Sequence, residues 1–352
     1  MKHVFCIHSN ITYLAALGVV CRENLPLVDV VIVSNNNYER DIPVKVHQIR
    51  SYGGCYNWYN IWRHPINSIC TVRYIDNEIK RLVGNETYIA YTEALFAFHD
   101  VIVTHPLCQQ FHFIEEGLSV YYKEMDWQQQ TANYSCQPCY RYKGWRGFFQ
   151  KLKDISLLLR GYKLEMLGLP ALYNAFFNAK DMKFYGFSDE SYYGVNNLCR
   201  ISLEQVRTNF EWHTHYEKLE DIDIWLGQNN PRGGNELIDK YVDAIEKGCA
   251  QQLLKQGKRH ILVKFHPVEE TYAKKQTIKM FQHNGIEVEI IPNEVVLELE
   301  LFKAKNVRLY SISSSLLLYA SMLGVECNSI INHMPSEFKV NTPALWKRVN
   351  FV

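Results

Sequence analysis

The chain has 352 residues, 47% of them hydrophobic, and a formal net charge of +1. That length holds two domains with full apolar cores, and that composition excludes a disordered chain. Near-neutrality excludes nucleic-acid binding by bulk electrostatics, so an anionic ligand needs a local site. Ten cysteines are scattered along the chain, several inside apolar runs, as buried thiols are. No run nears the roughly 18 apolar residues of a membrane span, and residues 4–7 are too short for a secretory apolar region. The expectation is a reduced, cytosolic protein.

The first elements read strand, turn, helix. An apolar strand is predicted over 3–7, a cap at Ser9-Asn10 and a helix over 11–20. A β-branched run at 30–33 predicts a buried parallel strand, and this β-loop-α-β opening is how doubly wound sheets begin. Residues 56–63 are aromatic and predict a helix, as do residues 75–83 by amphipathic spacing. Strands are predicted over 87–90, 100–104 and 110–114, the last running into Glu115-Glu116-Gly117. Cys136-Gln137-Pro138-Cys139 lacks the second ligand pair of a structural zinc site and sits in a polar, aromatic loop, so it is assigned neither a metal nor a redox role. Residues 140–164 interleave basic side chains with aromatics and leucines, and Asp154 is the one acid among them. That pattern is a solvated basic helix face, or a surface for peripheral contact with anionic lipid or glycan.

Residues 181–216 are rich in Tyr, Phe and Trp and close the first domain, with a boundary near 215–221 that gives domains 1–218 and 219–352. A second alternation follows. Its strands are predicted over 222–226, 260–265, 288–291 and 307–310, and its helices over 235–256, 270–283, 297–303 and 314–323. The expected fold is therefore α/β, with two doubly wound, Rossmann-like domains.

Three polar motifs end predicted strands, where open α/β sheets gather ligand groups. In Glu115-Glu116-Gly117, neighbouring side chains point to opposite sides, so one carboxylate can act as a base while the other bonds backbone; Gly117 permits a tight turn. In Lys264-Phe265-His266-Pro267, the histidine follows its strand directly and Pro267 fixes the turn, so the imidazole can bond or protonate a phosphate. In Ser311-Ile312-Ser313-Ser314-Ser315, hydroxyls and free N–H groups at a helix start can cradle an anion; one serine would serve as a cap, and three exceed that need. His105-Pro106 also follows a predicted strand and is read as structural. Asp221-Ile222-Asp223, the one Asp-x-Asp match, enters a strand instead of leaving one, the wrong end for a metal-ligand site.

In their order and placement these motifs resemble those of the GT-B bacterial sialyltransferases, including lipooligosaccharide and capsule sialyltransferases and polysialyltransferases. The resemblance spans most of the chain. It implies a GT-B fold whose two domains face each other across a cleft, with the acceptor on the first domain and a CMP-sugar donor on the second. Glu115 would be the general base, with Glu116 and Gly117 beside it. His266 would stabilise or protonate the departing phosphate, held by Ser313, Ser314 and Ser315, with Pro267 shaping the turn. Glu298 would bind the ribose hydroxyls, with Glu294 second. Gly227 and Gln228 would line the donor pocket, and Asn10 the opposite wall. One departure is the Glu-Glu pair, where an aspartate is common in at least one place.

The reaction so implied moves sialic acid from CMP-N-acetylneuraminate to a hydroxyl of a surface glycan, with inversion and with no metal or other cofactor. Departure of CMP leaves oxocarbenium character, so the protein must neutralise one phosphate and activate one hydroxyl. Another CMP-activated nonulosonic acid or Kdo would need the same chemistry. A nucleotide- or glycan-binding module without turnover is the reading from a different class.

Overall fold

A computed structural model of the chain describes residues 1–34, 42–49, 65–93, 97–122, 182–228, 235–336 and 347–352, with Trp145 and Leu159. The aromatic segment 56–63, the cysteine pair 136/139 and nearly all of the basic stretch 140–164 lie outside the described residues. The chain divides into two compact units, Met1–Glu211 and Trp212–Val352. The sequence reading put the division at 218/219. Residues 212–216 join the second unit because Trp212 packs edge-on against Phe302 and the His215 and Tyr216 N–H groups donate to the buried Glu300 carboxylate.

The first unit is built on β1 (Lys2–Ile7), whose last four residues are fully buried between neighbours. It pairs in parallel with β2 (Val30–Ser34) on one side and β4 (Tyr88–Thr92) on the other. Helix α1 (Asn10–Arg22) joins β1 to β2. Its start is set by Ser9, which caps the Thr12 N–H while the Thr12 hydroxyl accepts from the Ser9 N–H. With β3 (Val46–Gln48), β5 (Cys108–Ile114), β6 (Phe184–Gly186) and β7 (Leu198–Arg200), the sheet order is β3-β2-β1-β4-β5-β6-β7, every pairing parallel. Among the described residues, helices α2 (Pro65–Val83), α3 (Ala97–Thr104) and α4 (Leu203–Asn209) also belong to this unit.

Residues 100–104, predicted as a strand, belong to helix α3. Its apolar run, Val101-Ile102-Val103, has no period long enough to separate strand from buried helix. The topology decides: β4 and β5 are parallel neighbours and need a crossover between them. His105, past the end of that helix, is fully buried against Asp76 at 3.1 Å, a structural position.

The second unit repeats the plan. Its sheet runs β10 (Glu287–Ile290), β9 (His260–Lys264), β8 (Asp223–Leu226), β11 (Arg308–Ser311), β12 (Glu326–Ser329), β13 (Asn350–Phe351), again all parallel. A long helical segment follows β8: α5 (Asn235–Ile245), a wider turn over Glu246–Ala250, and α6 (Gln251–Lys255). Then come α7 (Thr271–His283), α8 (Leu297–Glu300) and α9 (Ser315–Met322). Asp223 opens β8, buried, and Arg308 grips both its oxygens at 2.8 Å. Its carboxylate is thereby committed to a structural pair at the amino end of the sheet.

In both sheets the strand order turns back at the first strand of the unit. β1 lies between β2 and β4, and β8 between β9 and β11. At such a switch point the helices on either side diverge and leave a crevice at the carboxyl ends. Those ends are where the polar motifs fall.

Candidate functional site

Three strands of the first unit deliver an ionisable residue just past their carboxyl ends. His8 follows β1, Glu93 follows β4, and Glu115-Glu116 follows β5. His8 lies between two carboxylates, with Nδ1 2.8 Å from Glu93 and Nε2 3.1 Å from Glu116. The two bonds draw a proton onto both ring nitrogens. Burial works against that charge, but the bonds and charges of Glu116 and Glu93 outweigh it and raise the His8 pKa to about 10. Glu93 is 1% exposed, and its one bonded oxygen also lies 3.3 Å from Nε2 of the buried His99. Burial holds His99 below its ordinary pKa; it raises Glu93, whose histidine neighbours nonetheless bring it below the usual carboxylate range.

The acid pair divides its work. Glu115 is fully buried, and it accepts from the Tyr121 hydroxyl at 2.6 Å, the Phe187 N–H at 2.7 Å and the Ser191 hydroxyl at 2.8 Å. It ties β5 to the loop after β6. Glu116 is 32% exposed and faces His8. The sequence reading gave the base to Glu115. In the structure its oxygens are enclosed by three donors, and the more open carboxylate is its neighbour Glu116. Gly117 has φ of 138°, a conformation side chains rarely adopt, and it turns the chain sharply after the pair. Asn10 is the first residue of α1, half-buried, two positions past His8.

In the second unit several of the predicted residues fall just past the strand ends around the switch point. Gly227 and Gln228 follow β8, His266 follows β9, and Ser313–Ser315 follow β11. The Gln228 amide donates to Ser311 Oγ at 3.0 Å, and Ser311 donates to the Leu226 carbonyl. Ser311 is therefore a buried brace. Ser314 caps α9, accepting from the Leu316 N–H at 3.2 Å; Ser313 and Ser315 flank it, half-buried. The start of an eight-residue helix, with hydroxyls on three consecutive residues, presents donors and a partial positive charge to an anion.

His266 is half-buried, and its Nδ1 accepts from the Val268 N–H at 3.3 Å. The ring proton then lies on Nε2, free to be donated. Burial, and after it the charge of Lys274, lowers the His266 pKa, so at neutral pH the ring is a neutral donor. Pro267 is exposed at the tip of this turn. Lys264, which ends β9, places its ammonium on the carbonyls of Pro292, Asn293 and Val295, at 2.5, 3.2 and 2.9 Å. It thereby fixes the segment that carries Glu294, exposed, into α8, where Glu298 is half-buried.

Sequence reasoning missed His8, Glu93, His99 and Glu269. The first two had a readable signal, an ionisable residue just past a predicted parallel strand. Among the described residues, no group of three or more histidines, cysteines or acids is placed to hold a metal ion, and no helix is long and apolar enough to cross a membrane.

No protein-family profile matches the chain, and no curated protein matches it. Solved structures do. A Listeria monocytogenes protein described as a UDP-N-acetylglucosamine 2-epimerase aligns over 99% of this chain and 83% of its own, with TM-score 0.51 and 10% identity. The Neisseria meningitidis UDP-GlcNAc 2-epimerase bound to UDP-GlcNAc aligns over 99% and 87%, with TM-score 0.48 and 9% identity. The E. coli heptosyltransferase WaaC with ADP aligns over 100% and 92%, with TM-score 0.46 and 13% identity. The chain has the GT-B fold. At these identities the likeness extends to the fold alone, and what each neighbour binds is a property of that neighbour.

Proposed function

We propose that the protein is a glycosyltransferase that moves a nonulosonic acid, sialic acid first among them, from its CMP ester to a glycan hydroxyl, with inversion and without a metal. The observation that carries the reading is the second unit's switch point, where a neutral Nε2–H of His266 and the serine-rich start of α9 follow the two strands, β9 and β11, that flank β8. That set suits one phosphate. Its donors are neutral, as a monophosphate leaving group allows, and together they stabilise the departing charge by roughly a few kcal/mol. Gln228, braced by Ser311, lines the same strand ends. Glu298 and Glu294, on the segment held by Lys264, are the candidates for the ribose hydroxyls. The choice of CMP over other nucleotides rests on the resemblance of the three motifs.

In the first unit Glu116 takes the acceptor proton. His8 donates to one oxygen of Glu116 and is itself held by Glu93, so the carboxylate keeps one orientation. Glu115 maintains the strand end on which Glu116 sits. The glycan belongs to the cell surface, lipooligosaccharide or capsule, and residues 140–164 meet anionic lipid at the inner face of the membrane.

Titration calorimetry with CMP and with UDP, followed by mass analysis of CMP-N-acetylneuraminate incubated with galactosides and sialosides, tests the reading. It predicts CMP binding that falls about tenfold or more in Ser314→Ala and His266→Ala, and transfer lost in Glu116→Gln. Binding of UDP but not CMP would overturn the donor assignment. CMP binding with neither hydrolysis nor transfer of any CMP-sugar would leave a binding module. Transfer of Kdo alone would change the sugar and keep the chemistry.

A further inference from the structure

Glu269 lies three residues past His266 and is 4% exposed. Its Oε2 accepts from the His266 N–H at 3.1 Å, and its Oε1 accepts from the Tyr241 hydroxyl at 3.1 Å. The Glu269 N–H returns a bond to the His266 carbonyl at 3.0 Å, closing the turn. Tyr241, on α5, also bonds the Gln228 backbone. The missing side chain of Gly227 makes the room: a Cβ there would overlap Glu269 Oε2 and stand 3.0 Å from the His266 nitrogen. One buried carboxylate thus joins the end of β8, the end of β9 and helix α5.

The carboxylate has no ion-pair partner among the described residues. The groups facing it are the Tyr241 hydroxyl from α5, the His266 turn on its own segment, and Lys274 from α7, whose charge acts at longer range. A buried carboxylate with two neutral donors and no cation is poorly compensated. Burial accordingly pushes its pKa up to about 7, against the smaller downward pull of those bonds. An anion arriving beside His266 adds a like charge to the same neighbourhood, and like charge favours the neutral acid.

We propose that Glu269 is the positioning residue of this site, holding the His266 turn against the Gly227–Gln228 strand end and taking up a proton from solvent when a phosphorylated ligand binds. No bond to the ligand is required: the carboxylate becomes a carboxylic acid, and the buffer supplies the proton. The inference rests on the reading of the second unit as a phosphate site, so its test has one arm with ligand and one without.

With ligand, calorimetry of CMP binding at pH 7 in two buffers of different ionisation heat reads the protons taken up. The wild type is expected to take up about 0.3–0.5 proton per CMP. Glu269→Gln should abolish the uptake and keep affinity within about threefold, since an amide still accepts from His266. Glu269→Ala should lose about tenfold in affinity. Unchanged uptake in Glu269→Gln, with loss of uptake in His266→Asn, would assign the proton to the imidazole and overturn the proposal. Without ligand, the ring nitrogen shifts of His266 read its turn directly. Nδ1 should keep its acceptor shift in the wild type and in Glu269→Gln and lose it in Glu269→Ala. An Ala variant with the wild-type shift would overturn the positioning role, whether or not CMP binds. Failure of wild-type CMP binding, with the shifts as expected, would instead sink the donor assignment and the linked proton uptake with it, leaving the positioning role intact.

Discussion

Exchanging the roles of two adjacent glutamates gives the sharpest prediction of the account. Glu115→Ala strands the Tyr121 hydroxyl, the Phe187 N–H and the Ser191 hydroxyl in a region with no exposure at the carboxylate. Each buried unsatisfied donor costs about 1–3 kcal/mol. The two hydroxyls can turn toward other acceptors, whereas the backbone N–H of Phe187 cannot. The total is on the order of 3–6 kcal/mol. For a unit of this size that lowers the melting temperature by roughly 6–24 °C. Glu115→Gln keeps the shape, and Tyr121 can turn to accept from the amide, so its cost is about 1–2 kcal/mol. Glu116→Gln alters a partly exposed group with one ion-pair partner among the described residues and should stay within about 1 kcal/mol of wild type. Scanning calorimetry of the three variants, with CMP-sialic acid turnover measured on each, checks both halves. The expected pattern is a folded but inactive Glu116→Gln and an unstable Glu115→Ala. A Glu115→Ala variant as stable as wild type would refute the structural role. A stable Glu115→Gln that loses all turnover, beside a fully active Glu116→Gln, would return the base to Glu115.

Gly227→Ala should destabilise the second unit by about 2–4 kcal/mol, because the new Cβ displaces the Glu269 carboxylate and breaks its bonds to His266 and Tyr241; denaturant unfolding checks this. Glu269 has a folded pKa raised to about 7, so the stability it contributes is complete below its unfolded pKa near 4.5 and is lost as pH rises through 7. Glu269→Gln should therefore remove a decline in second-unit stability between about pH 4.5 and 7, which calorimetry across that range reads. His8 obeys the same sign at higher pH: its contribution is complete below about 6.5 and fades as pH rises through 10, and His8→Asn should flatten that limb for the first unit.

Much of the architecture was legible because parallel strands buried on both faces are written as short apolar runs. The runs at 30–33 and 260–265 could be read without knowing any partner. The segment 100–104 was not legible, since its apolar run fits a strand and a buried crossover helix equally. The edge strands Val46–Gln48 and Asn350–Phe351 were missed because two or three half-exposed or exposed residues carry no period. At the candidate site, position along the strand was enough to place His266, Gln228 and the serines past the carboxyl ends of their strands. It could not show which of Glu115 and Glu116 faces inward, because that depends on Tyr121, Phe187 and Ser191, up to 76 residues away. Nor could it find Glu269, whose place beside His266 depends on the gap left by Gly227.

In the proposed donor site the ends of β8, β9 and β11 form a seat for the phosphate of CMP. Nuclear magnetic resonance of the His266 imidazole and the Ser313–Ser315 amides during titration with CMP reads that seat directly. Saturable shifts at both places with one affinity are expected, abolished by Ser314→Ala and not reproduced by cytidine. Saturable CMP binding that leaves His266 and these amides unmoved would contradict it.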